Sequence, residues 1–395
     1  YGADLVVDSL INHDVEYVFG IPGAKIDRVF DTLEDKGPKL IVARHEQNAA
    51  FMAQGIGRIT GNPGVVITTS GPGVSNLATG LVTATDEGDP VLAISGQVKR
   101  CDLLKRSHQS MKNVAMMEPV TKSAVEVHDP NTLSEIIANA HRVAKSGRRG
   151  ASFISIPQDV TDSLVSVKAI KPLTDPKLGS ASVDDVNYLA QAIRNAELPV
   201  LLLGNGASTR AVTKSIRKLL EAVKLPVVET FQGAGIVSRE LEEDTFFGRV
   251  GLFRNQPGDM LLKKADLVIA IGYDPIEYEA RNWNAEISAR IIVVDVVQAE
   301  IDTYFQPERE LIGDIADTID LLLPAVNGYT LPKTSVDYLQ NLKKNVVEDV
   351  KFDRDSNPGV VHPLDVIDVM QENITDDMTV TVDVGSHYIW IARYF

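Results

Sequence analysis

The chain holds a single cysteine, Cys101, among 395 residues. One thiol closes no disulfide within the chain and builds no zinc cluster. Also missing is an apolar run long enough to span a bilayer, and the N-terminus carries no signal-peptide pattern, so a cytoplasmic setting is expected. Positive charge is in deficit: 39 Lys and Arg stand against 54 Asp and Glu, a formal net charge of −15. Such a surface repels nucleic acid and anionic membrane, and neither is an expected partner. It would repel a small anionic substrate too, so local positive charge would have to guide one in. The chain opens at Tyr1 rather than at a methionine, which raises the expectation of a trimmed sequence.

What is present is alternation. The length exceeds what one core usually serves, and two or three domains are expected. Short β-rich apolar runs at residues 17–19, 40–42, 65–68, 91–94 and 153–156 are separated by stretches with helical spacing, as at 48–58. Strands buried on both faces and joined through helices give an α/β fold with a parallel, doubly wound sheet. The pattern breaks at 163–183, where Pro172, Pro176 and Gly179 mark a linker. A second α/β run has strands at 200–203, 227–229, 267–271 and 291–294, and fades near 324–332. A polar helical connector at 336–349 leads to Asn357-Pro358-Gly359, after which a helix at 363–372 and a strand at 379–384 open a third segment. The expected divisions are 1–165, 183–330, a connector at 331–357, and 358–395.

Four loops of the first division fall at the carboxyl ends of expected strands, the edge where open parallel sheets bind ligands. They are Gly20-Ile21-Pro22-Gly23, Arg44-His45-Glu46-Gln47, Ser70-Gly71-Pro72-Gly73 with Asn76, and the segment around His108-Gln109. Glu46 stands between an apolar strand and a helix rich in Ala49, Ala50, Ala53, Gly55 and Gly57, where close packing is expected. A carboxylate largely withdrawn from water can share a proton with a heterocyclic nitrogen. Taken alone, an acid at that place is better explained by the helix dipole. Glycines flanking Pro72 let backbone approach a flat ligand, although a plain strand-to-helix turn has the same composition.

As a set, in this order and spacing, Phe19-Gly20-Ile21-Pro22-Gly23, Arg44-His45-Glu46-Gln47-Asn48-Ala49-Ala50 and Ser70-Gly71-Pro72-Gly73 resemble the pyrimidine-binding domain of thiamine-diphosphate enzymes. The resemblance runs the length of the chain and is closest to acetolactate synthases of the catabolic, acetoin-forming type. It implies a thiamine-diphosphate-binding fold with a pyrimidine domain, a Rossmann-like central domain and the opening of a diphosphate domain. It implies a reaction in which one pyruvate loses carbon dioxide and its two-carbon fragment joins a second pyruvate, giving 2-acetolactate. Glu46 then matches the acid that holds a proton at the aminopyrimidine, and Pro22, Gly23, Pro72 and Asn76 match positions lining that ring. His108, Gln109 and Lys122 match the substrate pocket, with Gln109 near the reacting carbon. Gly385, Ser386 and His387 match a loop that touches the diphosphate. The resemblance also implies a homo-oligomer with the active site between subunits.

Two departures matter. Flavin-binding relatives carry an Arg-Phe-Asp-Asp-Arg motif in the central domain, where this chain reads Tyr273-Asp274-Pro275-Ile276-Glu277-Tyr278-Glu279. That argues against FAD, and Gly204-Asn205-Gly206 is only a partial dinucleotide fingerprint. The family's Mg²⁺ motif, Gly-Asp-Gly followed later by Asn, is expected beyond Phe395, because Gly313-Asp314-Ile315 lacks the second glycine. No metal ligand is therefore expected within these residues, and residues 1–395 alone should bind Mg²⁺–thiamine diphosphate weakly without turnover. Rival readings are another enzyme of this cofactor, such as a pyruvate oxidase, and a non-catalytic nucleotide-binding or scaffolding protein.

Overall fold

The computed structural model describes residues 1–103, 105–251, 256–348, 359–375 and 378–395. It divides into two units, Tyr1–Pro176 and Lys177–Phe395. The division falls inside the expected linker, where residues 163–182 form neither helix nor strand. Among the described residues no helix is long and apolar enough to cross a membrane.

The first unit is built on β1 (Tyr17–Ile21), β2 (Lys39–Val42), β3 (Gly64–Thr68), β4 (Val91–Gln97), β5 (Ser123–Glu126) and β6 (Ala151–Pro157), all parallel, in the order β2-β1-β3-β4-β6-β5. Every residue of β3, β4 and β6 is buried, as a sheet covered on both faces requires. Side chains alternate between two cores, because successive residues of a strand point to opposite faces. Val65 and Ile67 join Leu10, Val18, Ile137 and Ile154 on one side. Val66 joins Ala49, Ala53, Leu77, Leu81 and Phe153 on the other. The second core is formed with the helices Glu46–Thr60, after β2, and Pro72–Asp86, after β3.

The second unit repeats the plan with β7 (Pro199–Leu203), β8 (Val227–Glu229), β9 (Phe246–Arg249), β10 (Leu267–Ile271), β11 (Arg290–Asp295) and β12 (Arg309–Ile312). Their order is β12-β11-β10-β7-β8-β9, again all parallel. Leu201 and Leu203 face one core, Val200 and Leu202 the other. Three strands escape a search for apolar runs: β5 (Ser-Ala-Val-Glu), β9 (Phe-Phe-Gly-Arg) and β12 (Arg-Glu-Leu-Ile). Each lies at a sheet edge, where part of the strand meets water and no continuous apolar run is needed.

Two expectations change. The connector helix, Lys333–Glu348, buries Leu339 and Leu342 in the second unit's core, so it is a packed element of that unit; residues 349–358, which include Asn357 and Pro358, lie outside the described residues. The expected helix is present as Pro363–Asn373, but residues 379–384 form no strand. A strand exists through its ladder, and no described strand pairs with this stretch.

Candidate active site

Where the chain reverses its winding direction in a parallel sheet, the loops leaving the two neighbouring strands diverge and open a crevice. In the first unit that place lies between β1 and β3, since β2 sits on the far side of β1. Pro22 and Gly23 follow β1, Glu46 follows β2, and Ser70-Gly71-Pro72 follows β3. Their proximity is therefore a consequence of strand order.

Gly23 is in tight contact with the loop after β3: a Cβ there would stand 2.6 Å from Thr69 Cβ. Gly71 takes a φ of +62°, a left-handed conformation that favours glycine, and places Pro72 in the first turn of its helix. Pro22 and Pro72 are both exposed at the rim. Glu46 opens its helix behind His45, whose Nδ1 accepts the Gln47 amide at 3.2 Å. From the Pro72 helix, Asn76 Nδ2 donates to Glu46 Oε2 at 2.9 Å. This fixes the carboxylate without neutralising it. Its other oxygen, Oε1, lies 3.5 Å from where a Gly73 Cβ would stand and has no protein donor among the described residues.

Next to it the Thr68 and Thr69 hydroxyls are buried without a hydrogen-bond partner. Buried polar atoms rarely stay unmatched. A floor of Gly23 and Gly73 beside the open Oε1 of Glu46 fits a flat heterocycle that donates a hydrogen bond. Glu46 itself is half-buried, not largely withdrawn from water as its sequence surroundings suggest. The physical reason is its place at the first turn of a helix on the open edge of the sheet.

The segment at 107–110 reaches the same edge. The Ser70 hydroxyl lies 2.7 Å from the Gln109 carbonyl, and Gln109, half-buried, has a φ of +62° and packs its backbone against Gly71. His108 is exposed. Holding this segment is Gln97, which the sequence reading passed over. Its buried side-chain amide accepts the Val98 amide at 2.9 Å through Oε1 and donates to the Met111 carbonyl at 2.8 Å through Nε2. Those two partners fix which way the amide points. Asn113, equally buried, donates to the Gly96 carbonyl at 3.1 Å and to Ser155 Oγ at 3.2 Å. The signal was available: Ser95 and Gln97 interrupt an otherwise apolar buried strand.

Lys122 does not belong with them. It precedes β5, at the amino edge of the sheet, opposite the crevice. Its ammonium donates to the carbonyls of Val143 and Ser146, closing the helix Leu133–Lys145, and partial burial pushes its ionisation down from the usual lysine range. Gly385, Ser386 and His387 lie in the second unit, where Gly385 precedes the helix Ser386–Tyr394 and both side chains are exposed. Asp314 is a helix cap, accepting the Asp317 amide at 2.9 Å.

Two family models match the chain: the N-terminal TPP-binding domain of thiamine pyrophosphate enzymes over residues 1–116, and the central domain of the same enzymes over residues 186–322. Fold, crevice and matches define a thiamine-diphosphate enzyme. An acetolactate synthase of Bacillus subtilis (strain 168) is 50% identical over 394 residues, spanning 100% of this chain and 69% of that protein. A catabolic acetolactate synthase of Raoultella terrigena is 45% identical over 397 residues, with 100% and 70% covered. The large subunit of acetolactate synthase isozyme 2 of Escherichia coli K12 is 31% identical over 397 residues, with the same coverage. The chain belongs to the acetolactate synthase family.

Proposed function

We propose that the chain forms 2-acetolactate and carbon dioxide from two molecules of pyruvate, as a catabolic, acetoin-pathway acetolactate synthase of the cytoplasm. Thiamine diphosphate, when bound, supplies the carbon nucleophile and the electron sink for decarboxylation. The residues of this chain supply placement and one proton. Asn76 holds Glu46 Oε2, leaving Oε1 to hold a proton at the ring nitrogen of the aminopyrimidine. Pro22, Gly23 and Pro72 form the surface against which that ring lies. Gln109, placed by Ser70, is assigned to the reacting carbon and His108 to the substrate carboxylate. Gly385, Ser386 and His387 are assigned to the diphosphate within a region beginning at residue 358. Residues 1–165 form the pyrimidine domain and 183–330 the central domain. Mg²⁺ is proposed as the counter-ion of the diphosphate, and no residue described here is assigned to it. FAD is not part of the proposed enzyme.

The enzyme is proposed to be a homo-oligomer with its site between subunits. Support comes from the Glu46 helix, whose outer face carries Phe51, Met52 and Ile59 at 37%, 44% and 85% exposure. That apolar face is the surface proposed for the second copy.

The observation that carries the reading is the Asn76–Glu46 pair set between glycine loops at the β1/β3 crevice. In the full-length protein, Glu46→Gln should reduce acetolactate formation by about 10²- to 10⁴-fold, the usual span for a lost proton-transfer group. The circular-dichroism melt should remain that of the parent. Retention of a tenth or more of the activity would refute the role.

A further inference from the structure

The second unit has its own reversal point, between β7 and β10. In doubly wound sheets that crevice receives the diphosphate of a dinucleotide, which accepts backbone amides of the loop after the first strand. The loop here is Gly204-Asn205-Gly206, and its amide is already used. Both carboxylate oxygens of Glu277 lie 3.1 Å from the Asn205 amide. The Asp274 amide donates to Glu277 Oε1 at 3.2 Å, and the buried Thr230 hydroxyl donates to Oε2. Thr230 is free to give its proton because its oxygen accepts the Gly233 amide at 3.1 Å. Gly204 makes room for the acid, since a Cβ there would come 2.8 Å from Glu277 Oε1. The donors that would hold a phosphate thus converge on a carboxylate of the chain itself. Asp274, half-buried beside it, adds a second acid where a diphosphate would need positive charge.

We infer that Glu277 is a built-in occupant of the dinucleotide diphosphate place in the central domain, and that it closes this domain to adenosine-diphosphate cofactors. The inference deepens the flavin-free reading above and depends on it. Removing the acid should return the amides of Asn205 and Asp274 to an external anion and lift a repulsive charge.

The test titrates ADP into the full-length protein saturated with Mg²⁺ and thiamine diphosphate, so that only the central domain is interrogated, with calorimetric detection. The parent should show no ADP heat at millimolar concentration, whereas Glu277→Ala should bind ADP at least tenfold more tightly, at one site per chain. Glu277→Gln keeps the side-chain volume and removes the charge; it should bind more tightly than the parent and less tightly than Glu277→Ala. It also serves if the alanine variant fails to fold. Equal ADP binding by parent and folded variants, whether strong or absent, overturns the inference. Carboligation and flavin absorbance of the untouched parent report separately on the flavin-free reading. A parent that carries stoichiometric flavin defeats that reading, and with it the inference.

Discussion

The two units share six parallel strands and a reversal crevice, yet they leave their crevices in opposite states. In the first, Glu46 Oε1 and the hydroxyls of Thr68 and Thr69 have no partner within the described residues. In the second, an acid at the corresponding edge collects two amides and a hydroxyl. An unmatched buried polar atom costs about 1–3 kcal/mol and is also found at Ser95 and Ser152, within β4 and β6. The feature particular to the first crevice is therefore the open oxygen of Glu46. A satisfied one marks a crevice that the chain has closed for itself. Equal topology therefore carries no equal function, and the polar groups at the strand ends make the distinction.

The difference extends to pH. In the first unit, burial and the neighbouring His13 push the His141 imidazole down to about 4, its ring 4.6 Å from that of His13. The unfolded chain then binds more protons between about 4 and 6.5, so this unit loses stability as pH falls through that window. In the second unit, burial pushes the Glu229 carboxyl up to about 7, although it accepts the Val237 amide at 2.8 Å. Here the folded state binds more protons between about 4.5 and 7, and stability is lost as pH rises. Each effect is on the order of 3 kcal/mol at full extent. Hydrogen exchange on the full-length protein, corrected for intrinsic rates, should show β3 and β4 less protected at pH 5 than at pH 8, and β7 and β10 the reverse. Glu229→Gln should flatten the second trend alone. Parallel loss in both units at one end of the range would break the comparison.

A smaller effect tests how the first crevice holds its shape. Gln97→Leu strands the Met111 carbonyl and the Val98 amide and should cost about 2 kcal/mol of stability. Because the same segment carries Gln109, KM for pyruvate should rise about tenfold while thiamine-diphosphate affinity changes less, as loosened substrate placement implies. An unchanged KM would leave Gln97 as a packing residue only.

The sequence was most readable where one physical demand acts alone. Strands buried on both faces had to be apolar, so β3, β4, β7 and β10 stood out. β5, β9 and β12 did not, because an edge strand tolerates charge. Loops requiring glycine beside an acid were visible as Gly23, Glu46 and Gly73. The hydrogen bond from Asn76 was not, since it depends on two helices meeting at one point. Glu277 was hidden for the same reason, because its hydroxyl partner lies far away along the chain, whereas Gln97 left a trace as a polar break in β4. Thr230 lies 47 residues from Glu277.

Lys122 offers the finest comparison, between the two edges of one sheet. Its motif placed it near substrate, while the structure places it at the amino edge against the carbonyls of Val143 and Ser146. A cation at a helix C-terminus contributes about 0.3–1 kcal/mol, and more when partly buried. Lys122→Met keeps much of the stem and removes the charge. It should lower stability by about 1 kcal/mol and leave kcat/KM for pyruvate within about twofold, because a structural cap acts on folding and not on the transition state. The salt dependence of KM should also stay that of the parent. A tenfold loss in kcat/KM with an unchanged melt would return Lys122 to the substrate path. It would also mean that the carboxyl edge is not the only face of this sheet that pyruvate meets.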